Sequence, residues 1–187
     1  MRRTLQHFGG FGGNNVTRTN HLVSTVGFAL ICGASGPSVV TAMLGCRVPD
    51  LDMKFGIPHR TYTHWAPLYG LAVFLVYMYM PSFTLPLLWL PVGLHLKNMV
   101  LWFFYGALFH ILEDLPTTMG VPFLLPRDEG WGRTGVGFFK SIKTGQRWTL
   151  GLTKTGGFVE YVLVAGVVLT AVYVFFTRIQ SGHYSPV

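Results

Sequence analysis

Negative charge is scarce in this chain. Only seven of its 187 residues are acidic, and only 11% carry any charge. A soluble domain carries about 25% charged residues, so the composition argues against a water-exposed globule. Cysteine is nearly absent too. Cys32 and Cys46 are the two in the chain. Both fall in an apolar stretch and read as buried thiols, not as a disulfide or a metal pair. No cleavable leader is expected, because residues 1–20 are basic and glycine-rich and the apolar stretch from Leu22 lacks a small-residue cleavage site. Gly130-Trp131-Gly132-Arg133-Thr134-Gly135 matches GxGxxG, but no strand precedes it and no βαβ unit fits around it, which excludes a dinucleotide fold.

Half of the residues are hydrophobic, and residues 66–94 and 98–112 contain no charge. Runs of that kind point to an integral membrane protein. The expected fold class is all-α, a polytopic membrane helical bundle with a re-entrant or hairpin N-terminal helix pair. Residues 1–20 read as a flexible basic arm and 21–178 as the membrane domain. Within that domain, 117–157 form a basic loop; 179–187 are a tail. Residues 22–46 are uncharged but broken at Gly33-Ala34-Ser35-Gly36-Pro37, which favours a hairpin of two helices over one span. Residues 84–94 are too short to cross, rising roughly 16 Å as helix against a core of about 30 Å. They are expected at the interface or in a bent helix. The remaining spans are 65–80, 98–115 and 158–177.

The formal net charge of +7 lies in the loops, as on the cytoplasmic face of a membrane protein. Its expected partners are anionic lipid headgroups of the bilayer and not nucleic acid. If 65–80 crosses and 98–115 returns, then Asp50, His64, His110, Asp114 and Glu160 share one face. Arg47, Lys54, Arg60, Arg127, Arg133, Lys140, Lys143, Arg147 and Lys154 share it too, so positive-inside bias makes that face cytoplasmic. A hairpin at 22–46 brings His21 to it as well.

That face concentrates the rare ionisable groups. Four of the seven acidic residues and three of the seven histidines lie in or beside Pro49-Asp50-Leu51-Asp52, His59-Arg60-Thr61-Tyr62-Thr63-His64 and His110-Ile111-Leu112-Glu113-Asp114. Ionisable groups at membrane depth cost a few kcal/mol each, and persist where they have a partner or a task. Carboxylates with imidazoles are a common ligand set for zinc and similar divalent ions. His110 and Asp114 stand one helical turn apart on one face, so both reach one ion, or Asp114 orients the imidazole, or the two form a packing hydrogen bond. Glu113 competes as a ligand. Asp50 and Asp52 divide between ligation and capping. Thr63 is a candidate N-cap that sets His64 in the first turn of the next helix. Arg60 suits an anionic substrate oxygen, or anchors the loop at the lipid face.

Taken in order, these elements resemble the YdjM-like family, described as LexA-binding, inner-membrane-associated, metal-dependent hydrolases. The resemblance runs over residues 20–170. It rests on His21, Pro49 to Asp52, His59 to His64, His110 to Asp114, Gly120-Val121-Pro122-Phe123-Leu124-Leu125-Pro126, and Glu160 after Gly156-Gly157. It implies metal ligation by His21, Asp50, His59, His64, His110 and Asp114, with Asp52 and Glu160 as second choices. Met53 stands where the family has a histidine, and Thr61 and Trp65 replace a glycine and a serine. The implied cofactor is one or two divalent ions, zinc first. The activity would then be hydrolysis of a phosphodiester or ester near the cytoplasmic lipid surface. The alternative is a non-catalytic inner-membrane component whose polar cluster is structural and whose basic loop docks a cytoplasmic protein.

Overall fold

A computed structural model describes residues 13–55, 60, 62–86, 93–117, 120–122, 139–142, 145–148 and 157–181. Five helices dominate: α1 (Gly13–Ile31), α2 (Gly36–Cys46), α3 (Ala66–Tyr79), α4 (Leu96–Asp114) and α5 (Phe158–Gln180). Two 3-10 turns, Pro49–Lys54 and Tyr62–His64, link α2 to α3. α1 starts at Gly13, so residues 13–20 are helix and the arm expected over 1–20 is cut short. No proline interrupts 13–31, and α1 packs on α5 around Gly27, where an added Cβ would lie 2.8 Å from Val167.

Residues 22–46 fold back. Gly33 takes a left-handed φ of 78°, open to glycine at little cost. The amide of Ala34 donates to the Ala29 carbonyl at 2.9 Å, and Pro37 opens α2 in its first turn. Cys32 sits at this turn and is exposed, contrary to the expectation of two buried thiols; Cys46 is buried. The turn, not the apolar run, sets the exposure of Cys32.

α2 and α4 meet backbone to backbone. A Cβ on Gly45 would lie 1.8 Å from the Phe103 carbonyl oxygen, and one on Gly106 would lie 2.0 Å from that of Ala42. Paired small residues allow this approach in apolar surroundings. It carries the end of α2, and therefore Asp50, against the last turns of α4.

α1, α3 and α5 lead away from the site and α2 and α4 return to it. Asn20 and Glu160 join the start of α5 to α1, and at the far end Arg178 donates to the Leu30 and Ile31 carbonyls at 3.2 and 3.0 Å. Glu160–Gln180 has a mean hydropathy of 2.2 and is long and apolar enough to cross a membrane; Ala66–Tyr79 is apolar but shorter. Both present large apolar side chains outward, among them Leu71, Phe74, Leu169 and Phe176. Outward apolar faces of this extent suit lipid contact.

The chain is mostly helical, as expected, with short strands between helices. β1 (Thr84–Pro86) pairs antiparallel with β2 (Gly93–His95). The ends of the 84–94 run are therefore extended and not parts of a bent helix. Pro81 and Pro86 withhold backbone donors and favour extended neighbours. β3 (Val121–Pro122), β5 (Gly145–Trp148) and β4 (Phe139–Ile142) form a second antiparallel sheet in that order.

Candidate metal centre

Three elements converge on one buried cluster. Asp50 comes from the turn after α2, His64 from the turn before α3, and His110 and Asp114 from the last two turns of α4. One ligand atom each from Asp50, His64 and His110 lie within 4.8 Å of one another. His110 Nε2 stands 3.6 Å from Asp50 Oδ1 and 3.7 Å from Asp114 Oδ2. His64 Nε2 stands 4.0 Å from Asp50 Oδ1 and 3.3 Å from Asp114 Oδ2. Zinc bonds to nitrogen and oxygen of about 2.0–2.1 Å set tetrahedral ligands about 3.3 Å apart. The observed spacings are near that separation and mostly too long for direct hydrogen bonds. His110 Nε2 is buried and makes no hydrogen bond among the described residues. A buried polar atom of that kind is costly unless something fills the space it faces. The donor set and the orphaned nitrogen both fit a divalent cation, so this His/Asp cluster could hold a metal.

Around these atoms lies a second layer that orients them. Asp52 is fully buried, and its Oδ2 accepts from the Thr63 hydroxyl at 2.8 Å and the Arg60 amide at 3.1 Å. The same oxygen lies 3.4 Å from His64 Nδ1, the place of a carboxylate that fixes the tautomer of a ligating imidazole. Thr63 thus serves Asp52 and not the helix: α3 begins at Ala66 behind Trp65, and His64 stays in the 3-10 turn. Burial alone would push the His64 pKa down. The hydrogen bonds to Asp114 and Asp52 outweigh it and hold the pKa above the ordinary imidazole value.

Arg60 is buried, with its guanidinium on Asp114 Oδ1 and on the Thr117 hydroxyl. Its backbone is left-handed at φ 61°, a conformation seldom held without support. That turn lets its amide reach Asp52 while its side chain reaches Asp114, so one residue ties the two carboxylates together. Both contacts turn the guanidinium inward, onto the carboxylate that borders His64 and His110.

His21 joins the cluster through the α1–α2 hairpin. Its Nδ1 lies 2.9 Å from Glu113 Oε2, its Nε2 lies 3.7 Å from Asp114 Oδ1, and its ring lies against His110, tilted by 37° with centroids 4.3 Å apart. Glu113 also accepts from the Ser24 hydroxyl. Glu160 is buried at the edge, accepting from Asn20 at 3.1 Å. His59 lies outside the described residues. The structure thus brings together His21, Asp50, Asp52, Arg60, His64, His110 and Asp114.

Ser24, Cys46 and Thr117 complete the site without having been singled out for it in the sequence. Cys46 Sγ lies 3.8 Å from His110 Nδ1, on the side away from Asp50. Ser24 and Thr117 each lie three residues after an ionisable residue, the one helical cue that pointed to them.

The family model of the YdjM inner membrane protein matches residues 16–184. The chain belongs to the YdjM inner membrane protein family. Every described residue of the cluster falls inside that match. YdjM proteins are an inner membrane family, and α5 is a helix fit to cross such a membrane. No curated protein matches the chain, and no solved structure does.

Proposed function

We propose that this chain is a multi-pass inner-membrane hydrolase whose site, at the cytoplasmic face, uses a divalent metal held by Asp50, His64 and His110. Two imidazoles and a carboxylate favour zinc. The observation that carries this reading is the convergence of His110 Nε2, buried and without a hydrogen bond among the described residues, on Asp50 and His64. When bound, such an ion lowers the pKa of water towards neutrality and polarises the bond under attack.

The protein's own groups have separable tasks. Asp52 engages His64 Nδ1, which would leave Nε2 to hold an ion. Arg60 holds Asp114 and offsets part of the negative charge gathered by the carboxylates. His21 and Glu113 form the wall behind His110. The supporting residues cluster around a single set of ligand atoms, which favours one ion with an orienting layer over two ions. Hydrolysis of a phosphodiester would add water across one P–O bond; the hydroxyl goes to phosphorus and the proton to the departing alcohol. The basic loops at this face support its cytoplasmic orientation.

Metal analysis of protein purified without chelator tests the reading. About one equivalent of zinc is expected, lost in His110→Ala and Asp50→Ala while both variants keep their helical content. Wild-type protein without stoichiometric metal would overturn it.

A further inference from the structure

Two cavities share Leu22 as a lining residue, and one of them opens on the cluster. The first, of about 310 Å³, is lined by Asp50 and His110 from the cluster and by Arg18, Arg47 and Lys54. The second, of about 590 Å³, is a groove between α1, α2 and α5, walled by Leu22, Val26, Leu30, Met43, Val172 and Phe176 with no polar side chain. Arg18, Leu22, Val26 and Leu30 follow one another at four-residue spacing, so one face of α1 runs from a cationic end to an apolar end. From Leu22 to Leu30 that face extends about 12 Å.

We propose that this composite site binds a membrane phospholipid of net negative charge, its phosphate in the cationic cavity beside Asp50 and His110 and one acyl chain in the α1–α2–α5 groove. The proposal rests on the metal-site reading, because Asp50 would repel a phosphate without a cation between them. Charge complementarity selects the headgroup. Arg47 and Lys54 are exposed at the mouth, and Arg18 lies 3.7 Å from Asp50 Oδ2, so it can turn between that carboxylate and an incoming anion. The groove selects the chain, and because it is open along helices that face lipid, a phospholipid can enter sideways without leaving the bilayer. Arg60 is excluded as the headgroup anchor by its burial against Asp114.

The test measures binding to the zinc-loaded full chain in detergent micelles by native mass spectrometry. Hexadecylphosphonate, whose C–P bond resists hydrolysis, stands for the lipid. Inorganic phosphate and hexadecyltrimethylammonium separate the contributions of anion and chain. One hexadecylphosphonate per chain is expected, bound at least ten-fold more tightly than either control. Arg47→Gln combined with Lys54→Gln should weaken it about ten-fold. Val172→Trp, at a half-exposed groove position, should weaken it about ten-fold while zinc content and phosphate binding stay unchanged; Val26→Trp repeats the test from the opposite wall. Equal binding of hexadecylphosphonate and phosphate, or no effect of either groove variant, overturns the lipid proposal. If zinc stays bound and a soluble phosphodiester is still hydrolysed, that failure leaves the hydrolase reading standing. Absence of zinc fails the hydrolase reading itself.

Discussion

Arg60 gives the sharpest test of how the cluster is held together. It is 2% exposed and its partner Asp114 1%. Replacing it with Met keeps much of the side-chain volume but removes the charge, leaving a buried carboxylate without its guanidinium. Breaking a buried pair from one side costs about 3–5 kcal/mol, a large share of the roughly 5–15 kcal/mol that stabilises a typical domain. Asp114→Asn alone should also destabilise, because the buried guanidinium then loses its counter-charge. The Arg60→Met/Asp114→Asn double variant should lose less than the two single losses combined, with a coupling of about 1–3 kcal/mol. Chemical denaturation of the metal-free protein in micelles would measure all four corners of this cycle. Adding zinc should shrink the Arg60→Met loss, since a cation beside Asp114 replaces part of the missing charge. A coupling indistinguishable from zero would refute the pairing, and a zinc-independent loss would refute the placement of Asp114 beside the ion.

The remaining expectations concern the helix contact and the layer behind His64. Gly106→Ala or Gly45→Ala places a Cβ about where a carbonyl oxygen already lies. α2 and α4 must therefore separate, at about 1–3 kcal/mol; thermal unfolding should show the loss, and zinc affinity should fall as Asp50 moves off His110. Gly70→Ala and Gly166→Ala meet nothing within 4 Å and should be neutral or stabilising by up to about 1 kcal/mol. Asp52→Asn should weaken zinc binding about 10–100-fold, as titration with a competing chelator would show. With its pKa held above the ordinary imidazole value, His64 stabilises the metal-free protein fully below about pH 6.5, and that contribution is lost as pH rises through the raised value. Zinc needs the neutral ring, so its affinity should climb over the same window. Unfolding and zinc titrations across that pH range should move in opposite directions, and Asp52→Asn should shift both towards lower pH.

Several features were legible from residues alone. Scarce carboxylates and imidazoles between uncharged runs marked the site, because ionisable groups are expensive there. The break at Gly33 to Pro37 marked the hairpin, and the four-residue spacing of His110 and Asp114 marked a shared helical face. Local rules misjudged other positions. Thr63 looks like a helix cap, but Asp52 competes for its hydroxyl. Arg60 looks like a surface anchor, yet its left-handed backbone turns it inward. Cys32 looks buried because its neighbours are apolar, and it lies on the outside of a turn.

By itself, then, the sequence determined the composition of the site, its order along the chain and a mostly helical, membrane-embedded class, since these follow from hydropathy, turn chemistry and the cost of buried charge. Only the tertiary structure decided which ionisable groups face one another and which stand behind. That division depends on how closely α2 approaches α4, on a fold-back that carries His21 to His110, and on a strained turn at Arg60. The hairpin was signalled locally, but the α2–α4 approach, the His21–His110 contact and the hold of Asp52 and Asp114 on Arg60 join residues apart in the chain, which no local propensity encodes.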